Sequence, residues 1–215
     1  MLTLKVAGAA TLLAFVAGVS FARLLSRREF PGRELFDAAG TLPLVLPPTV
    51  LGYYLIVVLG RRGLIGRWLW ETCGLTLMFT WQGAALAAAV VAFPLVFRAA
   101  RAAFDGVDRQ LEGAARTLGV SESGVFARIT FPLAWRGVLA GTMLAFARAT
   151  GEFGATLMVA GSIPGRTQTL SLAVYDAVQA AQDDLAAFLV GVTSVVCVAV
   201  LVAAGKLLGP RPGSP

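Results

Sequence analysis

Apolar residues in this chain occur in five long blocks separated by short polar segments. A bilayer core of about 30 Å needs roughly 20 apolar residues of helix, and each block approaches or exceeds that length. The blocks are residues 6–25, 42–59, 75–97, 137–160 and 185–208. The pattern predicts an all-α integral membrane protein with five transmembrane helices, built as a single domain over residues 1–215.

Composition agrees with that pattern and narrows the possible chemistry. Hydrophobic residues make up 57% of the chain and charged residues 14%, whereas soluble domains are about 25% charged. Histidine is absent, which excludes a Ser-His-Asp triad and histidine metal sites. No GxxxxGK[ST] phosphate loop occurs. We therefore expect no catalytic residues, no metal and no cofactor in this chain, and lipid rather than nucleic acid around it.

The basic residues indicate an orientation. Cytoplasmic loops of membrane proteins carry an excess of Lys and Arg. The first and third connections and the C-terminal tail hold twelve of them: Arg23, Arg27, Arg28, Arg33, Arg98, Arg101, Arg109, Arg116, Arg128, Arg136, Lys206 and Arg211. The opposite side holds five: Lys5, Arg61, Arg62, Arg67 and Arg166. The asymmetry predicts a multi-pass membrane protein with its N-terminus outside and its C-terminus in the cytoplasm.

The third connection, residues 98–136, is too long for a simple turn between helices. Its pattern predicts two short helices. Asp105 or Asp108 caps the first, and Gly119 ends it as the residue after its C-cap. Ser121 caps the second, and Pro132 ends it. From the pattern alone, this segment is either a surface helix pair or a docking element for a partner.

One motif decides between these alternatives by resemblance. The motif comprises Glu112, Gly113, Ala114, Ala115 and Gly119, then nine residues, then Ile129 and Pro132. It resembles the EAA loop of ABC-importer permeases, Glu-Ala-Ala, three residues, Gly, nine residues, Ile-x-Leu-Pro. Gly113 stands at the glutamate position, with Glu112 one residue earlier, and Phe131 replaces leucine. The resemblance implies a cytoplasmic coupling helix that docks on a separate ATPase subunit.

Further segments resemble the molybdate branch of that family. They are the runs LPLVLPP at 42–48, GRRG at 60–63, GEFGAT at 151–156 and IPGRTQT at 163–169. Sulfate permeases share part of this set, so sulfate and tungstate remain alternative substrates. The resemblance implies a homodimer of permease subunits in the bacterial cytoplasmic (inner) membrane. It also implies two ATP-binding subunits, which hold ATP and Mg²⁺, and an extracytoplasmic oxyanion-binding protein. A membrane-embedded enzyme and a simple channel are the alternatives from other classes.

The fourth apolar block carries the chemistry expected of a pathway or of helix packing. Gly137 and Gly141 form a GxxxG step, which lets helices approach closely within one subunit, beside the pathway or across a dimer. Arg148 and Glu152 are four residues apart and are expected to pair along one helix. Charges in a span face protein or water. The pair is therefore either a structural lock or a partly neutralised contact for an anion. Arg166, in an outer loop, either is solvated or meets the ion or a partner.

Overall fold

The computed structural model describes residues 1–26 and 31–208, and every regular element in these ranges is helical. Arg27, Arg28 and Arg211, which enter the charge asymmetry, lie outside the described residues, and Lys206 is described only in its backbone. The elements are α1 Leu2–Ser26, α2 Arg33–Val45, α3 Pro48–Leu59, α4 Leu64–Cys73, α5 Trp81–Asp105, α6 Arg109–Thr117, α7 Glu122–Val125, a π-helical turn Phe126–Thr130, α8 Phe131–Thr150, α9 Gly154–Ala160, α10 Leu170–Gln179 and α11 Asp183–Leu208.

Within residues 1–26 and 31–208, four helices are long and apolar enough to cross a bilayer, and the bent pair of α2 and α3 brings the number of spans to as many as five. The all-α membrane fold is confirmed. The second predicted span is not one helix, because α2 and α3 meet at 112°. Pro48 sits in the first turn of α3, where a missing N–H costs nothing. Pro47 cannot donate a helical hydrogen bond, so the chain turns there.

Alanine is the most frequent residue type in the buried core of the bundle. α1 and α5 run side by side in the same direction, since Val6 packs near Ala84 and Leu25 packs near Phe97. One buried cluster between these helices and α8 consists of small residues together with Val96: Ala7, Ala10, Ala14, Ala88, Ala89, Ala92, Ala145 and Ala149. In lipid, small side chains let helix backbones approach closely and gain dispersion energy. We call the end where α1 and α5 begin the distal end, and the end where they finish the coupling end.

Three other predicted span boundaries differ from the observed helix ends. The third span begins at Trp81, not at residue 75, because Thr80 caps it by accepting a hydrogen bond from the Gly83 N–H at 3.1 Å. The fifth begins at Asp183. The fourth is not continuous to residue 160, because α8 ends at Thr150 and α9 begins at Gly154.

The coupling-end connection is shorter than predicted. α5 continues to Asp105, which places Arg98 and Arg101 on a helix instead of in a loop. Pro132 does not end the second loop helix. Residues 122–150 form one continuous helix through the π-helical turn, in which the Phe131 N–H bonds the Phe126 carbonyl. A proline crowds the carbonyl four residues earlier, and the wider π turn placed there lets the helix pass through Pro132.

Candidate coupling surface and buried ion pair

α6 is a short helix with both predicted caps in place. The Asp108 carboxylate accepts a hydrogen bond from the Gln110 N–H at 2.8 Å. At the other end Gly119 has φ +78, and the Val120 N–H bonds the Ala115 carbonyl at 3.1 Å. This is the left-handed glycine cap that the sequence predicts. The helix direction is therefore set at both of its ends.

Side-chain contacts fasten α6 to the long helix that starts at Glu122. The Arg116 Nε donates to Glu122 Oε1 at 2.6 Å, and its Nη2 lies 3.3 Å from Glu112 Oε2. The Thr130 hydroxyl donates to the Glu112 carboxylate from the π-helical turn. The hydrogen bond to Glu122 raises the pKa of the Arg116 guanidinium, so this cation persists. These contacts tie α6 to the segment that leads into α8.

The two alanines of the motif differ in burial, because consecutive helical residues are about 100° apart around α6. Ala115 is buried, with 7% of its surface exposed, so it packs inside the chain and does not face a partner. Ala114 is exposed, between Leu111 at 49% and Leu118 at 83% exposure. Gly113 is half-buried, and a Cβ added there would meet nothing within 4 Å. Leu111, Ala114 and Leu118 form the uncovered apolar surface of α6, which we call the coupling surface.

Ile129 and Pro132, the second half of the motif, lie on the long helix that starts at Glu122, and not on α6. Ile129 is half-buried in the π-helical turn, and Pro132 is exposed at the start of α8. Sequence reasoning did not find the roles of Thr130 and Glu122 as partners of α6. The local sequence signal for this network was the spacing of Glu112 and Arg116. They are four residues apart on one helix, which favours an ion pair. The long-range contact from Thr130 leaves no local pattern.

Arg148 and Glu152 do pair, but not along one helix as predicted. The Arg148 Nη1 lies 2.7 Å from Glu152 Oε2, and Glu152 sits in the break between α8 and α9. The other carboxylate oxygen accepts a hydrogen bond from the Ala155 N–H at 2.9 Å. The Glu152 side chain is 1% exposed and that of Arg148 36%. The Glu152 carboxylate therefore binds both the first turn of α9 and the Arg148 guanidinium. The Arg148 side chain is partly exposed at the surface of the bundle.

The break in the fourth span meets the bend in the second. A Cβ at Gly154 would come within 2.9 Å of the Pro48 Cβ, so the start of α9 rests directly on the start of α3. A Cβ at Gly52 would come within 2.6 Å of the Met158 Cβ one turn further on. The sequence signals both irregularities through Pro47-Pro48 and Gly151, but does not show that they touch.

Gly137 and Gly141 both face α5. A Cβ on Gly137 would lie 2.7 Å from the Ala103 Cβ, and one on Gly141 would lie 2.3 Å from the Ala99 Cβ. Of the three roles considered for the GxxxG step, the geometry fits packing within one subunit. The ion pair stands further along α8, beyond this contact.

We expect Gly141→Val to destabilise the bundle, because the new side chain collides with Ala99 and with the Leu95 carbonyl 3.0 Å away. Overpacking of this kind costs about 1–3 kcal/mol. The measurement is the amount of inserted protein and its unfolding midpoint in detergent. Gly191→Val on α11 is the matched control, since no atom lies within 4 Å of its added Cβ. Equal stability of the two variants would contradict the packing described here.

Arg166 is exposed at the tip of the loop between α9 and α10. The loop is organised from within by Thr167, whose hydroxyl accepts from the Ile163 N–H at 3.0 Å and donates to the Gly161 carbonyl at 3.2 Å. Gln168 donates to Asp176 Oδ2 at 2.6 Å. Among the described residues Arg166 has no ion-pair partner, and the structure does not bring it to Arg148.

Comparison with known proteins identifies the family. Residues 11–213 match the family described as binding-protein-dependent transport system inner membrane component. The chain belongs to this family. Its similarity to individual members is high: it is 52% identical over 179 residues to the molybdenum transport system permease protein ModB of Escherichia coli strain K12, covering 83% of this chain and 78% of that one.

Another relative and two solved structures are also similar to this chain. A putative molybdenum transport system permease of Bacillus subtilis is 42% identical, with 86% and 82% of the two chains covered. Among solved structures, an inward-facing MetNI methionine ABC transporter chain matches with a TM-score of 0.73 at 16% identity, over 96% of this chain and 91% of that one. A bacterial alginate ABC importer chain matches with a TM-score of 0.76 at 15% identity, over 99% and 78%. The two structural matches show a shared fold.

Proposed function

We propose that this chain is the membrane subunit of an ATP-driven ABC importer for molybdate. The 52% identity to a molybdenum permease over most of both chains carries the proposal. The resemblance of the LPLVLPP, GRRG and IPGRTQT segments to molybdate permeases agrees with it. The functional unit is a homodimer, with two ATP-binding subunits and an extracytoplasmic oxyanion-binding protein. The ATP and Mg²⁺ belong to the ATP-binding subunits.

Coupling runs through α6 in this proposal. Leu111, Ala114 and Leu118 dock on the ATP-binding subunit, and Glu112, Arg116 and Thr130 pass its movement to the helix 122–150. That helix ends at the Arg148–Glu152 pair. The exposed side of Arg148 offers a cationic contact to the passing dianion, and Glu152 offsets the charge so that the anion is not trapped. In this proposal the bundle has an inward-open and an outward-open state. It switches between them because its contacts with the partner subunits differ in the two states.

The substrate is tested by uptake. The chain is expressed with its own ATP-binding and binding-protein subunits in cells lacking a molybdate permease, and accumulation of molybdate, tungstate and sulfate is measured. We expect ATP-dependent molybdate uptake that excess sulfate does not suppress. Sulfate uptake with no molybdate uptake would assign the chain to the alternative substrate.

The orientation has a separate test in a variant with Cys73 and Cys197 replaced by serine. A single cysteine at position 166 should react with an impermeant thiol reagent in intact cells. One at position 118, which is 83% exposed as leucine, should react only after the membrane is opened. The reverse pattern would place α6 outside and would remove the basis for ATPase docking.

We expect Gly119→Val to reduce ATPase recovery and molybdate uptake severalfold while membrane insertion stays normal. A β-branched residue at φ +78 costs about 1–2 kcal/mol, and the chain relieves this by turning the end of α6. Gly119→Asn is the control, because asparagine accepts the left-handed region. Full coupling in the valine variant would show that the cap does not set the direction of α6.

A further inference from the structure

α4 presents an apolar surface at the distal end that nothing in the described chain covers. The helix follows α3 after a short turn, and a Cβ on Gly66 would lie 2.1 Å from the carbonyl oxygens of both Leu59 and Gly60. α4 is therefore held by backbone contact against the end of a membrane-spanning segment. Its level relative to the bilayer is fixed by where α3 ends.

The outward side of α4 is its most apolar side. At 100° per residue, Leu64, Ile65 and Trp68 fall within an arc of about 100°, and Gly66 points roughly away from that arc. Their exposures are 89%, 47% and 61%. Arg67 and Glu71, about 60° and 20° around the axis from Leu64, pair with each other at 2.7 Å and border this arc on one side. A short helix with divided faces is typical of a segment lying in a membrane interface.

Aromatic and basic residues mark the same level on the other helices. Trp81 begins α5, and the Lys5 ammonium lies 3.8 Å above its ring. Trp, Tyr and basic side chains collect where spans meet lipid headgroups. Trp68 extends this belt onto α4.

The charge around α4 favours anionic headgroups. Arg61 and Arg62 precede the helix, and the Arg61 guanidinium lies 4.4 Å above the Trp70 ring. Arg67 and Glu71 cancel, so the segment from Arg61 to Glu71 is net positive. Basic residues beside an interfacial apolar face add electrostatic attraction to anionic lipid.

We infer that α4 is an interfacial anchor, lying flat in the lipid headgroup layer at the distal end with Leu64, Ile65 and Trp68 in the acyl boundary. It holds the end of α3 at a fixed depth while other parts of the bundle move. The inference concerns lipid, so it stands whatever ion the chain carries.

Spin-label accessibility tests it on the full-length chain in vesicles of phosphatidylethanolamine and phosphatidylglycerol, with Cys73 and Cys197 replaced by serine. Labels are placed singly at positions 65, 68, 67 and 71, with position 166 as the water reference and position 13 on α1 as the lipid reference. We expect labels at 65 and 68 to collide with oxygen like the lipid reference and a label at 67 to collide with a nickel chelate, while a label at 71, at the border of the apolar arc, gives a value between the two.

Two outcomes would overturn the anchor. Uniform nickel accessibility at all four positions would mean that α4 stands in water. Shielding of 65 and 68 from both oxygen and nickel would mean that protein covers this face, either a second copy of the chain or another subunit. Since labelling Trp68 removes the ring itself, quenching of Trp68 fluorescence by brominated lipid, in a variant with the other three tryptophans replaced by phenylalanine, supplies an independent reading. Absence of quenching there would also contradict the anchor.

Discussion

Arg148→Ala is expected to lower the amount of folded protein in the membrane severalfold. The substitution leaves a Glu152 carboxylate with 1% of its side chain exposed and only the Ala155 N–H to satisfy it. An unsatisfied buried acceptor costs about 1–3 kcal/mol, and more when it is charged. Membrane abundance and the unfolding midpoint in detergent measure the effect. Arg166→Ala is the matched control, because that arginine is exposed and has no ion-pair partner among the described residues.

A second substitution separates folding from transport. Glu152→Gln keeps an oxygen for the Ala155 N–H and removes the charge, so the double variant Arg148→Ala with Glu152→Gln should return to near-normal abundance. We expect its molybdate uptake to stay low, since the cationic contact proposed for the pathway is missing. Recovery of abundance and uptake together would show that the pair only locks α8 to α9.

Ala114→Trp is expected to abolish ATPase association and uptake while leaving insertion and stability unchanged. Ala114 lies at the centre of the coupling surface, and an indole there holds a docked partner several ångströms away. Co-purification of the ATP-binding subunit, scored against membrane abundance, measures the loss. Gly113→Ala is the control, because its added methyl group meets nothing within 4 Å.

The neighbouring position gives a contrasting result. Ala115 is buried inside the chain, so Ala115→Trp should reduce stability as well as docking. Normal ATPase recovery with Ala114→Trp would remove α6 from the coupling path and leave the importer assignment to rest on the family match and the spans.

Local chemistry made much of the coupling end predictable. Asp108, Gly119 and Ser121 cap helices through contacts within a few residues, so a single sequence contains all the information needed. The inward orientation of Ala115 was not predictable. Both motif alanines fit a helix surface, and which one is buried depends on how α6 sits on the helix that starts at Glu122.

The irregular backbone was harder to place. An apolar block such as 137–160 reads as one helix, because hydropathy does not register a short interruption. Glu152 marks the interruption, because its carboxylate accepts a hydrogen bond from the Ala155 N–H at the start of a new helix. The sequence pattern predicts Glu152 in the middle of a span. Gly154 fits because it leaves room for Pro48, a partner more than a hundred residues away along the chain.

The continuous helix through residues 122–150 also sets how far from the lipid any docking takes place. Trp135 is exposed and the Arg136 guanidinium lies 5.9 Å from its ring, a pairing typical of the point where a span leaves lipid. From Arg136 back to Glu122 the helix extends for roughly 20 Å at 1.5 Å per residue. α6 is fastened along this segment, by Arg116 to Glu122 at its start and by Glu112 to Thr130 about two turns later. A partner that docks on α6 therefore meets the chain beyond Arg136, outside the part of the helix that spans the lipid.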